Sequence, residues 1–193
     1  MKYIKSALAI LLTGTLLCGC EKKASDDSDI SGCWSVVTAD TSDYKSLETA
    51  DGVFSFGAPP TLAFREDDSG IDYEYSFTTG KENSLIGVMS VSGYHQTAEG
   101  FGKGTIAGYE ELYSEVSGEN IDFGDVHAYQ ITAFSDNIMY VSTMLQYGNG
   151  DLFVVNTTDD RGNTDAAKAA AALCSTIEYK GESLKTSPET YEN

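Results

Sequence analysis

The sequence predicts an α+β domain in which an antiparallel β-sheet is covered by helices, and three observations carry that reading. Asp72-Tyr73-Glu74-Tyr75-Ser76-Phe77 alternates polar and aromatic side chains with a period of two, the pattern of a half-buried strand. Residues 126–134, 138–146 and 152–157 are apolar stretches separated by Ser135-Asp136-Asn137 and Gly148-Asn149-Gly150, turns short enough to make the three strands an antiparallel meander. Two further segments have helical character: one repeats large apolar residues at steps of three and four, and the other is rich in alanine.

Taken in order, residues 33–39 (Cys-Trp-Ser-Val-Val-Thr-Ala) have the β-branched and aromatic content of a strand. Residues 52–56 form a second, stopped by Gly57-Ala58-Pro59-Pro60, and residues 72–77 a third with all three aromatics on one face. Residues 85–91 are almost continuously apolar, which predicts a central strand covered on both sides. Thr97 then caps a helix on which Phe101, Thr105, Tyr109, Leu112, Tyr113 and Val116 recur along one face. Gly100, Gly102, Gly104 and Gly108 each weaken it by about 1 kcal/mol relative to alanine, so it needs tertiary support. After the meander, a loop at 158–163 leads into a helix from Thr164 to Leu173, where Asp165 suits the positive end of the helix dipole. Residues 176–180 alternate again and close the domain, giving a folded region of 33–181 and a polar tail at 182–193.

The N-terminal 19 residues have the parts of an export signal: Lys2 and Lys5, then an apolar stretch from Ala7 to Leu17 that is short for a permanent span. It ends in Leu17-Cys18-Gly19-Cys20, which resembles the lipobox of bacterial lipoprotein precursors. The resemblance implies cleavage after Gly19, diacylglycerol on Cys20, and a protein anchored on the extracytoplasmic side of the cell membrane. Residues 21–32 are polar and read as a flexible tether.

Removing the leader takes away two lysines and no acid, so the net charge moves from −18 to −20. Such acidity argues against nucleic acid as a partner, because its phosphates need Lys and Arg to neutralise them. It also disfavours adsorption of the domain itself onto anionic lipid. With Cys18 lost and Cys20 lipidated, Cys33 and Cys174 remain. An exported protein with an even remainder suggests a disulfide, which over so long a loop stabilises by about 4–5 kcal/mol in the chain-entropy model. Two buried free thiols are the alternative.

The order of strands, helix, meander, helix and final strand also resembles the PsbP-like superfamily of α/β/α sandwiches. The carriers are Phe54-Ser55-Phe56 followed by Pro59, the long hairpin between Ala128 and Val155, and the Ala-rich helix followed by Ile177-Glu178-Tyr179. The likeness spans about residues 50–181 and lacks the tryptophan expected soon after the proline. It implies a scaffolding or binding role and supplies no shared catalytic set.

No motif in the chain specifies chemistry. His95 and His127 stand isolated, without the convergent partners a zinc site needs, so no metal ligand is assigned. Glu66-Asp67-Asp68-Ser69-Gly70 and Asp159-Asp160-Arg161-Gly162-Asn163 lack the spacing of a calcium loop and read as a solvated tip and a helix-capping loop. There is no Gly-x-Ser-x-Gly elbow, and Gly100-Phe101-Gly102-Lys103-Gly104-Thr105 lies inside an amphipathic helix pattern rather than a phosphate loop. No catalytic residue and no cofactor are assigned. Tyr73, Tyr75, Tyr109, Tyr113, Tyr129 and Tyr140 suit a sheet–helix core, or a groove for a protein, peptide or glycan if several share one exposed face. The expectation is therefore a tethered, non-catalytic binding or assembly module, with an extracytoplasmic hydrolase using paired carboxylates as the alternative.

Overall fold

A computed structural model describes residues 30–38, 40–65 and 72–181. The leader, Cys20, most of the tether, the acidic run at 66–71 and the tail at 182–193 lie outside the described residues. Within them the chain is α+β: two α-helices and two antiparallel sheets.

The small sheet joins β1 (Lys45–Glu48), β2 (Phe54–Ala58) and β10 (Glu178–Tyr179), in the order β1-β2-β10. The large sheet contains β3 (Ala63–Phe64), β4 (Tyr75–Thr78), β5 (Leu85–Val91), β6 (Glu115–Phe123), β7 (Val126–Phe134), β8 (Ile138–Tyr147) and β9 (Asp151–Asp160). Its strand order is β3-β4-β5-β9-β8-β7-β6, so β5 crosses over to pair with β9 and the meander runs out to the edge at β6. Register is set by side-chain alternation: Val88 opposes Val155 and Gly87 opposes Asn156, one pair on each face.

Both faces are buried, and each has its own core. On one face Phe54, Phe56, Ile86, Val88, Val141, Leu145, Phe153 and Val155 pack with the small sheet and with α2 (Asp165–Cys174). On the other, α1 (Ala98–Leu112) lays Ala98, Phe101, Ile106 and Tyr109 over Tyr129, Ile131, Met144 and Val154. Successive residues of β8 and β9 thus serve different cores, which is why their central stretches, such as Leu152–Val155, are continuously apolar instead of alternating.

Both helices begin as their local chemistry requires. The Thr97 hydroxyl accepts from Gly100 N at 3.0 Å, as the sequence predicts. Gly102 is buried because a Cβ there would enter the Tyr129 ring, so this glycine lets the helix approach the sheet. Thr164 makes no side-chain cap on α2; the buried Asp159 carboxylate does that work from β9. It accepts from Ala166 N at 3.1 Å, Asp160 N at 3.0 Å and Asn163 Nδ2 at 2.6 Å. The helix-capping reading of residues 159–163 therefore holds for Asp159, but Asp159 and Asp160 belong to β9 and Asp159 is buried, where a solvated loop was expected; Asp165 turns outward to pair with Lys81.

Four expectations are corrected. Of the strand expected over 33–39, residues 33–38 are described and do not form one; a 3-10 turn at Ser31–Cys33 leads into chain outside either sheet, whose Val37 N donates to Ser175 Oγ at 2.8 Å. The helical pattern drawn through Val116 stops at Leu112, and β6 follows as an edge strand with mostly exposed side chains, too polar to show as a strand in the sequence. Residues 72–77 are not one strand with three aromatics on one face, because β4 starts only at Tyr75 and Tyr73 turns to the opposite face. Finally, Cys33 and Cys174 are free thiols in this structure, without the expected bridge. Both reach the same core, Cys174 fully inside it and Cys33 at its rim, and burial pushes the Cys174 thiol well above its ordinary pKa.

Candidate functional site

The site arises where α1 stops short. The helix packs on β6, β7 and β8 and ends at Leu112, leaving the adjoining part of β9 and β5 uncovered on that face. Alternation places Tyr140 of β8, Asn156 and Thr158 of β9, and Leu85 and Gly87 of β5 on this open strip. Gly87 decides what happens next. A Cβ there would lie 2.5 Å from the Tyr73 ring, so the absence of a side chain is what seats Tyr73 against the sheet.

Tyr73, Tyr113 and Tyr140 then wall a cavity of about 170 Å³, completed by Leu85, Asn156, Thr157 and Thr158. Tyr113 stacks on Tyr140, with centroids 5.7 Å apart and planes inclined by 29°. The Tyr109 and Tyr140 hydroxyls meet at 2.9 Å, which holds the Tyr140 ring against the helix. Burial, and then the neighbouring Tyr109, raise the pKa of Tyr113 and, far more strongly, of Tyr140. No ionised group lines the cavity near neutral pH.

Asn156 is the polar feature of the site. Its residue is 6% exposed, and its Nδ2 donates to the Tyr73 hydroxyl at 3.1 Å. Its Oδ1 is closed off from solvent and has no hydrogen-bond partner among the described residues. Leaving such an acceptor unmet costs about 1–3 kcal/mol, so this amide carries an uncompensated polar atom beside the cavity. Trp34 Nε1 is likewise unpaired, but it lines neither cavity described here.

A second, larger groove of about 510 Å³ crosses the small sheet, between Val37, Thr41 and Tyr44 on one side and Ser175, Thr176 and Glu178 on the other. Its polar groups already serve one another: Gly57 N donates to Thr176 Oγ1 at 2.7 Å, and Ser55 Oγ to Glu178 Oε2 at 3.4 Å. Elsewhere Asp51 latches the turn before β2 to β5 and its following loop. Its carboxylate accepts from Thr49 Oγ1, Val53 N, Ser90 Oγ and Ser92 Oγ. Partial burial raises its pKa, yet these four hydrogen bonds together outweigh it and hold the group at about 2.

The structure scatters the other sequence candidates. His95 sits in an exposed loop before α1 at φ 51°, and His127 is exposed on β7 with Nδ1 3.0 Å from Asp122 Oδ1. Among the described residues no three His, Cys, Asp or Glu side chains are grouped to hold a metal ion. Residues 100–105 lie within α1, and the acidic run at 66–70 lies outside the described residues. Of the tyrosines, Tyr129 is buried under α1 and Tyr75 packs against the main core, whereas Tyr73, Tyr113 and Tyr140 share the open pocket. Asn156 is the residue that sequence reasoning passed over. The signal was an amide at the end of the apolar run Leu152-Phe153-Val154-Val155, in a strand otherwise covered on both sides.

No family model matches the chain, and no curated protein matches it. Among solved structures it is similar to a crystal structure of a protein from Bacteroides thetaiotaomicron, with 20% identity and a TM-score of 0.45. The match covers 72% of this chain and 49% of that one, so the chain spans about half the length of the structure it resembles.

Proposed function

We propose that this chain is a lipid-anchored, extracytoplasmic binding module, non-catalytic, with the tyrosine-walled pocket as its ligand seat. The uncharged, tyrosine-walled cavity carries the reading, since its rings offer a small ligand apolar faces with polar tips. The lipobox at residues 17–20 supports the anchor, and no helix among the described residues is long and apolar enough to cross a membrane. A helix on one face of the large sheet, and a helix with a small sheet on the other, support the finer PsbP-like assignment. Among the residues lining the two cavities Glu178 is the single carboxylate, so neither brings together the paired carboxylates of the hydrolase reading.

Side-chain NMR of Asn156 and Tyr140 in the full chain, titrated with a panel of small aromatics, neutral sugars, alkylammonium ions and short peptides, tests the ligand seat. At least one class is expected to shift both residues together. Silence across the whole panel refutes a binding role for this pocket. Mass analysis of the membrane fraction tests the anchor: acylated Cys20 is expected, and an unmodified Cys20 on mature protein overturns it.

A further inference from the structure

We propose that β6 is a docking edge, along which a basic, extended segment of a partner protein adds a further strand to the large sheet. This surface is separate from the tyrosine-walled pocket, to which β6 contributes no residue. Among the described residues β6 ends the strand order of that sheet and pairs with β7 alone, in unbroken register from Glu115 opposite Phe134 to Phe123 opposite Val126. The other strands at a sheet edge are shorter: β3 and β10 have two residues each and β1 has four, against nine in β6. A row of unpaired backbone groups of this length is a template for another strand, and β6 has neither the proline nor the bulge that commonly blunts one.

The turns of the meander show which backbone groups face outward. Ser135 N donates to Ile138 O at 2.9 Å, so in β7 the alternate residues Ala133, Ile131 and Tyr129 exchange hydrogen bonds with β8. The residues between them bond to β6, where Phe134, Thr132, Gln130 and Ala128 stand opposite Glu115, Ser117, Glu119 and Ile121. Val116, Gly118, Asn120 and Asp122 are left with N–H and C=O aimed at the open edge. None of these groups has a hydrogen-bond partner among the described residues.

Charge selects the occupant. The ionised side chains of β6 are Glu115, Glu119 and Asp122, with neither Lys nor Arg in the strand, and Asp125 lies in the turn that follows. Basic side chains near the strand are already engaged: Arg161 with Glu115, Lys103 of α1 with Glu99, and His127 with Asp122. Opposite charges on adjacent strands attract and like charges repel, so a segment carrying Lys or Arg fits this edge. A second copy of the chain brings the same acids and a net charge of −18, and fits it worse.

Backbone amide hydrogen exchange of the detergent-solubilised full chain, with and without a capped peptide of alternating lysine and valine, tests the proposal. Without peptide, the amides of Val116, Gly118, Asn120 and Asp122 should exchange freely, while those of Ser117, Glu119 and Ile121 are protected by β7. Saturating peptide is expected to slow the first four by about tenfold or more. The same peptide with glutamate in place of lysine should bind about tenfold more weakly. Glu119→Lys, at an exposed position, should weaken binding of the lysine peptide. No slowing of the four amides, equal binding of the two peptides, or unaltered binding after Glu119→Lys overturns the proposal. So does protection already present without peptide: if it rises with protein concentration the occupant is a second copy, and if it does not, another segment of this chain.

Discussion

Replacing Gly102 and Gly104 of α1 by alanine, one at a time, isolates the contact that seats this helix on the sheet. Helix propensity alone treats the two alike: each substitution gains about 0.5–1 kcal/mol by removing a flexible glycine from a helix interior. The surroundings differ. Gly104 is exposed, and a Cβ there meets nothing within 4 Å. At Gly102 the Cβ would stand 2.6 Å from Tyr129 Cε1 and 3.2 Å from the Met144 sulfur. Tyr129 has little room to withdraw, because its hydroxyl end already abuts Gly118 of β6. Overpacking of this sort costs about 1–3 kcal/mol, so the propensity gain is offset or exceeded at Gly102 and retained in full at Gly104. The difference between the two variants, in which propensity cancels, should be about 1–3 kcal/mol, or on the order of 1 M in urea midpoint. Equilibrium urea denaturation followed by far-UV circular dichroism and by the fluorescence of the buried Trp34 measures it. If Gly102→Ala raises the midpoint as much as Gly104→Ala, α1 does not rest on Tyr129, and the boundary of the pocket beyond its C-terminus loses its basis.

Three further outcomes are expected. Gly87→Ala should displace the Tyr73 ring, break the Asn156–Tyr73 hydrogen bond and abolish ligand-induced shifts at Asn156; unchanged Asn156 side-chain resonances would disprove the seating argument. Asp159→Ala removes a buried acceptor of three N–H groups and the remote cap of α2, and should destabilise by about 1–3 kcal/mol in thermal melts; a change within error refutes the capping role. Asp51 has a folded pKa of about 2, lowered from 3.8, so its stabilising contribution is present above pH 3.8 and is lost as pH falls toward 2. Stability of Asp51→Ala and the unsubstituted chain should therefore converge through that window, by a modest amount because the group is partly exposed; a constant difference down to pH 2 contradicts the assignment.

Much of the fold was legible because it is written in short-range periodicity. The meander was readable from its apolar runs and the turns at 135–137 and 148–150, and its runs became β7, β8 and β9; α1 was readable from its apolar spacing and Thr97, and α2 from its run of alanines. Strand β6 was not, because an edge strand with most side chains in water carries no alternation to detect. The pocket was half legible. Tyr73, Tyr113 and Tyr140 stood out as tyrosines suited either to a core or to a groove, and nothing local distinguishes these fates. Asn156 was hidden, since its hydrogen-bonding state depends on residues more than 80 positions away.

By itself, then, the chain's order of residues determined the α+β class, the positions of the main strands and helices, the net charge of −18, and the leader pattern ending at Cys20. These follow from composition and from interactions between residues a few positions apart. Only the tertiary structure decided that the strands divide between two sheets, that Cys33 and Cys174 stand as free thiols in one core, and that Tyr73 leaves the face of Tyr75 to lie on Gly87. Each depends on which distant segments meet, and on whether a missing side chain or an unmatched amide is left where they do.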